Sequence, residues 1–462
     1  SSFDWTDKRG TSADGSQTNE SYGIWAAMGQ PLEPGSYYVA FYNESSTEPS
    51  TYTFRSRAIG TGMAHAPQPL AFDGGTAGTG DLPAREVAYY SVDIPANTPS
   101  WRVSLAAQSG ESALYINQTT IPTSENYSHP TSSPFARSLV RLNKDGDEHY
   151  TLMPPAGEAV LPEGRYYLMV VSEGQEPADA YRIGTGSSTA TVTSHGQAPV
   201  HDLGTLPVGG QLQLAAEFVQ GGLEFVQFEV PPGLPSLAVR LEDRVGNPLA
   251  SLGWTNPSFP RGTSSSSGYG YYAGPFAERS DFTRTTVANP AAGTYRLVVM
   301  DPATVWPPPS LLAAGSCTLV VTSPIPAALN FSATQNGNGR SNTAGGILAD
   351  DERVFYQVEV PATVGGAPVI GWRLEIPATA GEPEIRVRQG SLPEGTEQTG
   401  GALTDWARRS LIVATPEFAP GTWYVEVKGG GATEFSLVSE AVTLVRDAWT
   451  MPLPGGPSPT PG

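Results

Sequence analysis

The chain has 462 residues, including 52 glycines and 43 prolines, with 45 acidic against 26 basic residues. Its net charge of −19 argues against a nucleic acid or an anionic membrane as partner, because both would repel the chain. The single cysteine, Cys317, excludes an internal disulfide and a cysteine-based metal site, and no run of about 18 apolar residues predicts a membrane span.

One short motif recurs four times at a nearly constant spacing. Its glycines are Gly35, Gly164, Gly293 and Gly421, so the period is 128 or 129 residues. Each copy predicts a turn followed by a strand, because glycine tolerates positive φ and aromatic and β-branched residues follow it. The second copy, 166–171, is apolar throughout, which predicts a strand buried on both faces or in a sandwich interior. The repeat indicates tandem copies of one all-β unit.

The period divides the chain into repeated units. Residues 1–62 correspond to the C-terminal half of a unit, and 63–193, 194–323 and 324–445 to complete units. Residues 446–462 read as a Pro/Gly-rich linker or tail. Seven or eight short strands per unit predict an all-β fold of tandem jelly-roll-like antiparallel β-sandwich domains.

The strand signals of the complete units follow one order. An early strand in each unit closes on a proline, which cannot donate to a sheet ladder. The predicted strands lie at 86–94, 101–106, 113–118, 138–142, 150–153, 166–171 and 180–184; at 224–230, 236–241, 250–253 and 316–322; and at 353–360, 371–376, 384–389, 410–414 and 433–438.

The first unit lacks everything that precedes its final strands. Half a sandwich would expose an apolar sheet face and an unpaired edge. We therefore expect upstream chain or another subunit to complete it, and strand donation between neighbouring copies is one way to do so.

Two stretches resemble a known family, the bacterial pre-peptidase C-terminal domain. Residues Tyr89–Pro95 and Phe355–Pro361 are similar to the early strand of that family. Residues Ala113–Ser124 and Glu384–Pro393 are similar to a second stretch of the family. The unit at 194–323 departs from the pattern, because it lacks the Gly-Leu-Pro part and carries a Ser/Gly/Tyr insertion. The resemblance implies a jelly-roll-like sandwich, found beside secreted peptidases and in large surface proteins, with no activity of its own.

The best metal candidate is the turn at 143–148. Asn143, Asp145, Asp147 and Glu148 place side-chain oxygens that could bind Ca²⁺, although the same residues suit an ordinary hairpin turn. A second acidic run, 350–352, precedes a predicted strand, where a solvated strand entry is favoured over a cation site. Ca²⁺ is the one cofactor that the sequence suggests.

Two aromatic stretches are candidate binding surfaces. Tyr269, Tyr271 and Tyr272 follow a Ser/Gly run, which suits an adaptable contact loop or a hairpin tip folded back on its sandwich. Trp306 precedes three prolines in a second apolar loop that could pack against a neighbouring unit.

Catalytic signatures are missing from the sequence. It contains no His-Glu-x-x-His and no Gly-x-Ser-x-Gly motif, so we expect no enzyme activity. His65, His195 and His201 fall near predicted unit boundaries and are expected to be solvated loop residues. Cys317 is expected to be a small buried side chain.

The expected function is structural or adhesive. The chain is expected to be a secreted bacterial surface or extracellular protein, and its sharper form is a fibre subunit completed by strand donation. Its partners would be neighbouring copies, the upstream chain, extracellular protein or polysaccharide. Two alternatives stay open, an accessory substrate-binding region of a secreted peptidase or other hydrolase, and a carbohydrate-binding array.

Overall fold

A computed structural model describes most of the three complete units. It covers residues 66–83, 86–118, 121, 140–142, 146–155, 157–174, 186–218, 223–260, 277–301, 315–331, 343–376, 378–393, 410–414 and 418–443, with Ser36, Thr47 and Pro49. Their regular structure is β-strand throughout, so the all-β prediction is confirmed. None of these residues belongs to a helix long and apolar enough to cross a membrane. The proposed half-unit 1–62 and the tail 446–462 lie outside the described ranges, apart from those three single residues.

The described strands form three successive sandwiches. The first contains β1 (Gln68–Leu70), β2 (Asp73–Gly78), β3 (Leu82–Pro83), β4 (Val87–Ile94), β5 (Trp101–Ser109), β6 (Glu111–Gln118), β7 (Val140–Leu142), β8 (Glu148–Leu152), β9 (Gly164–Gly174) and β10 (Ser187–His195). The second contains β11 (Val200–Thr205), β12 (Gln211–Phe218), β13 (Leu223–Val230), β14 (Ser236–Val245), β15 (Leu249–Gly253), β16 (Arg279–Phe282), β17 (Arg284–Ala288), β18 (Gly293–Met300) and β19 (Gly315–Thr322). The third contains β20 (Ala327–Ala328), β21 (Thr343–Leu348), β22 (Arg353–Val360), β23 (Thr363–Val364), β24 (Ala367–Glu375), β25 (Ala378–Ala380), β26 (Glu384–Gln389), β27 (Ser410–Ala414), β28 (Gly421–Lys428) and β29 (Thr433–Thr443).

Each sandwich packs a front sheet, which holds the repeated motif strand, on a back sheet. The front sheets have the orders β1-β4-β9-β6-β7, β11-β13-β18-β15-β16 and β20-β22-β28-β26. The back sheets have the orders β2-β10-β5-β8, β12-β19-β14-β17 and β21-β29-β24-β23, with β3 on β10, β25 on β29 and β27 on β24. The connectivity is therefore the same in the three sandwiches, except that the described front sheet of the third has no counterpart of β7 and β16.

The predicted antiparallel sandwiches are confirmed, with one short parallel strand added in each. The short strands β1, β11 and β20 run parallel to β4, β13 and β22. The reason is topological, because the chain crosses to the back sheet after the short strand and then returns, which reverses its direction twice. The other strand pairs of the described sheets are antiparallel.

The motif glycines begin the central strand of each front sheet. Gly164, Gly293 and Gly421 have φ of 118°, 136° and 128°, a region that side chains rarely adopt. This confirms the predicted conformational reason for glycine at three of the four positions, while Gly35 lies outside the described residues. The predicted strand ends before proline are confirmed as well, since β4, β13 and β22 end at the residue before Pro95, Pro231 and Pro361.

The closing strand of the first sandwich lies later than predicted. We expected it at 180–184, which is outside the described residues, whereas β10 runs from Ser187 to His195 and passes the expected unit boundary at 193. Its inward side chains include Ser188, Ala190 and Ser194, which are small or polar. A hydrophobicity pattern therefore gives little signal for this strand.

Each core is centred on large aromatic side chains between the two sheets. Trp101 meets Tyr166 edge-on at a ring distance of 5.6 Å, and Trp372 meets Trp423 at 6.0 Å. Cys317 is buried in β19, and burial raises the pKa of its thiol to about 11. This confirms its predicted place as a small buried side chain.

Candidate functional site

The outer face of each front sheet, which points away from its back sheet, is the most distinctive surface of the repeat. In β9, Leu168 and Val170 face the core, whereas the alternate residues Met169 and Val171 face outward. Within the single chain, the Met169 side chain is nonetheless 0% exposed. The predicted strand buried on both faces is confirmed.

Strand register identifies equivalent outer-face residues in the three sandwiches. In the first two sandwiches they are largely apolar, whereas in the third they are mostly charged. The sets are Val87, Tyr89, Ala113, Tyr115, Met169 and Val171; Leu223, Phe225, Leu249, Ser251, Val298 and Met300; and Arg353, Phe355, Glu384, Arg386, Glu426 and Lys428.

The outer face of the second sandwich is a junction with the first. Met153, directly after β8 of the first sandwich, is buried in one apolar cluster with Phe225, Val298 and Met300 of the second. Phe259 closes the same cluster, with its ring 5.0 Å from that of Phe225 in an edge-on arrangement. The two sandwiches therefore share a packed core across their boundary.

The third sandwich contacts the second through polar groups. Arg284 Nη1 lies 3.0 Å from Glu352 Oε2, and the Asn289 side-chain amide donates to the Leu392 carbonyl over 3.0 Å. Arg284 lies in β17, and Asn289 is the residue directly after β17, as Met153 is the residue directly after β8. Both strands hold the same edge position in their back sheets, so the same edge is used twice.

A buried charge cluster occupies the outer face of the third sandwich. Glu426 is 0% exposed, with its Oε1 2.9 Å from Arg353 Nη1 and 3.9 Å from Arg386 Nη1. The first contact is an ion pair by distance, but neither carboxylate oxygen has well-directed hydrogen-bond geometry within the described chain. Burial raises the pKa of Glu426, and the nearby positive charges oppose that rise.

The described part of the predicted metal turn is hydrogen-bonded to the strands β5 and β6. Asp147 Oδ1 accepts a hydrogen bond from the Ala107 amide at 2.8 Å, and Glu148 is fully buried at the start of β8. Asn143 and Asp145 lie outside the described residues. In the described ranges, no group of three or more His, Cys, Asp or Glu residues is placed to hold a metal ion. Calcium binding at this turn stays a prediction.

The second acidic run is divided among three different partners. Asp350 Oδ1 accepts a hydrogen bond from the Gly431 amide at 2.7 Å, and Asp351 pairs with Lys428 at 2.7 Å. Glu352 pairs with Arg284 of the second sandwich. The carboxylates therefore anchor the entry of β22, rather than converging on one point.

The four aromatic residues predicted to bind a partner lie outside the described residues. They are Tyr269, Tyr271, Tyr272 and Trp306. Their binding role stays a prediction.

Two histidines lie in strands and pair with side chains of neighbouring strands, so the prediction that they are loop residues is wrong, although the His201 side chain is 42% exposed. His195 Nε2 lies 2.7 Å from Ser104 Oγ, and His201 Nε2 lies 2.8 Å from Glu224 Oε2. Burial, with a smaller effect of Arg102, lowers the pKa of His195. A serine beside a histidine is also the pairing of a nucleophile with a base. Here it joins β5 to β10, and Ser104 is buried.

Comparison with known proteins identifies no relative. No protein-family model matches the chain, and no curated protein matches it. Among solved structures, the chain aligns with the Sulfolobus turreted icosahedral virus structure at 9% identity, over 79% of this chain and 85% of that one, with a TM-score of 0.19. It also aligns with the CUB1-EGF-CUB2 domains of rat MASP-1 at 8% identity, over 56% and 100%, with a TM-score of 0.15. Similarities this weak carry no argument about function.

The sequence places Ile121 and Leu392 in the family-like stretches but does not predict that Ile121 and Phe259 close the outer faces. Ile121 and Phe259 each join the outer-face cluster of their own sandwich. Both are followed by proline, as is the buried Leu392. The sequence pattern predicts that the second sandwich lacks this part, yet Phe259-Pro260 takes its place after a longer loop. An apolar residue before proline, downstream of β6 or β15, was the available signal.

Proposed function

We propose that the chain is a non-catalytic structural or adhesive protein of the bacterial surface or extracellular space, built as a stiff row of β-sandwiches. The observation that carries the proposal is the shared packing of Met153 with Phe225 and Val298 across a sandwich boundary. Neighbouring domains without such contacts move freely by default. A chain whose task is to span distance or bear load gains from packed junctions.

A second observation supports assembly with neighbouring copies. Among the described strands, β21 has a partner on one side only, β29, and its sequence Thr-Ala-Gly-Gly-Ile-Leu carries no charge or proline. Ile347 in this strand is 78% exposed. An uncharged edge strand is a template for a strand from another chain. Neighbouring copies are therefore the partner that we propose.

The test is the native mass by light scattering, with and without a calcium chelator. We expect assemblies heavier than one chain, and a smaller mass for Ile347→Lys, because a charge on the edge blocks strand addition. The control is Val208→Lys, at an exposed position of the second sandwich. A wild-type monomer would contradict assembly and favour the accessory region of a hydrolase. Loss of assemblies on chelation would support the calcium prediction.

A further inference from the structure

The outer face of the second sandwich is covered from two directions, and the third sandwich is contacted beside its outer face in a similar way. The sandwich's own loop contributes one apolar residue, such as Phe259 in the second. The preceding sandwich contributes the second contact. Met153 lies in the outer-face cluster of the second sandwich, and Arg284 and Asn289 bond to Glu352 and to the Leu392 carbonyl beside the outer face of the third. Both contributions from the preceding sandwich come from the same back-sheet edge or directly after it.

The first sandwich has an outer face of the same kind. Tyr89 and Tyr115 are each 5% exposed, and Met169 beside them is completely buried. Ile121 is the loop residue in this cluster, equivalent to Phe259. This burial arises within a single chain. By the repeated geometry, a contact from the preceding side should come from whatever precedes the first sandwich.

We propose that the outer face of the first sandwich is the docking surface for the N-terminal segment Ser1–Gly62 of the same chain. Chain order supports this, because the segment directly precedes the first sandwich and carries the first copy of the motif, at Gly35. The inference goes beyond the proposed function, since it would hold equally if the row were an accessory region.

The motif spacing indicates which part of the segment makes the contact. Met153 precedes Gly164 by 11 residues, and Asn289 precedes Gly293 by 4 residues. The same distances before Gly35 delimit residues 24–31, with the sequence Ile-Trp-Ala-Ala-Met-Gly-Gln-Pro. Trp25 and Met28 in this window are large and apolar, which matches a face formed by Tyr89, Tyr115 and Met169.

The full chain with a protease site inserted between Gly62 and Met63 tests the proposal. After complete cleavage, we expect the N-terminal fragment to co-elute with the rest of the chain in gel filtration at micromolar concentration. Trp25→Asp with Met28→Asp should release the fragment, and so should Met169→Glu. The segment variants leave the three sandwiches unchanged, so their result does not depend on sandwich folding.

The matched control is Val298→Glu, the position equivalent to Met169 in the second sandwich, which should retain the fragment. Release of the fragment from the wild-type body would overturn the proposal. Retention in the Trp25→Asp, Met28→Asp variant would also overturn it, because the contact would lie elsewhere. Neither result depends on whether the chain assembles, so failure of this inference and failure of the proposed function are distinguishable.

Discussion

The indole Nε1 of Trp372 donates a hydrogen bond of 2.8 Å to Ser439 Oγ in the core of the third sandwich. The first sandwich has the same pair at equivalent positions, Trp101 and Ser194, at 2.9 Å. In the second sandwich, Leu237 and Val321 take these two places, as the strand register shows. Donor and acceptor are thus present together or absent together, because a buried indole N–H needs a partner.

This relationship predicts the effect of removing one partner. Ser439→Ala leaves the buried N–H of Trp372 without its acceptor and should destabilise the third sandwich by about 1–3 kcal/mol. The double variant Trp372→Leu, Ser439→Val copies the second sandwich and removes the polar mismatch, but it also removes indole volume. Denaturant unfolding of the single variants and the double variant, as a thermodynamic cycle, should give a clear coupling energy. Additive effects would contradict the account.

The buried charge cluster makes a second prediction. Glu426→Gln removes the buried anion that faces Arg353 and Arg386, although Glu384 still lies 3.5 Å from Arg386, and should destabilise the third sandwich by about 3–5 kcal/mol at neutral pH. Arg353→Leu, Arg386→Ser and Glu426→Val together install the residues of the second sandwich. This triple variant should be neutral or stabilising, because well-packed apolar residues often replace a buried ion pair without loss. Thermal unfolding of both variants provides the comparison, and a triple variant less stable than Glu426→Gln would refute it.

His195 predicts a pH dependence for the first sandwich. Its pKa in the folded chain is below the ordinary value of 6.5, so the unfolded chain takes up the proton first as the pH falls. The contribution of His195 to the free energy of unfolding should therefore be constant above pH 6.5. It should decline as the pH falls below 6.5 and level off beneath the pKa of His195 in the folded chain. Hydrogen exchange of β10 peptides across this range measures the effect. His195→Gln should remove the His195 contribution, and an unchanged profile in that variant would assign the decline to other groups.

Much of the fold follows from local sequence. The motif glycines predict three left-handed positions, and the prolines after β4, β13 and β22 predict where those strands end. These features depend on the backbone of one or two residues, so local chemistry determines them. The strands β2 and β10 are different, because glycine, serine and threonine dominate them and few of their side chains give a hydrophobic signal.

The junctions could be predicted only in part. The unbroken apolar run at 166–171 indicates burial on both faces, but it does not say what covers the second face. Met153 reaches Phe225 across 72 residues of chain, and no local pattern encodes that contact. The charged outer face of the third sandwich resembles an ordinary solvated face in sequence, although Glu426 is fully buried.

The central claim is that the sandwiches form a stiff row through packed junctions, and small-angle X-ray scattering of the full chain tests it most directly. Met153→Asp places a charge in the first junction, and Val208→Asp places the same charge at an exposed site of the second sandwich. We predict rod-like scattering for the wild type and Val208→Asp, and a flexible, broader distance distribution for Met153→Asp. Flexible scattering from the wild type, indistinguishable from that of Met153→Asp, would contradict the claim.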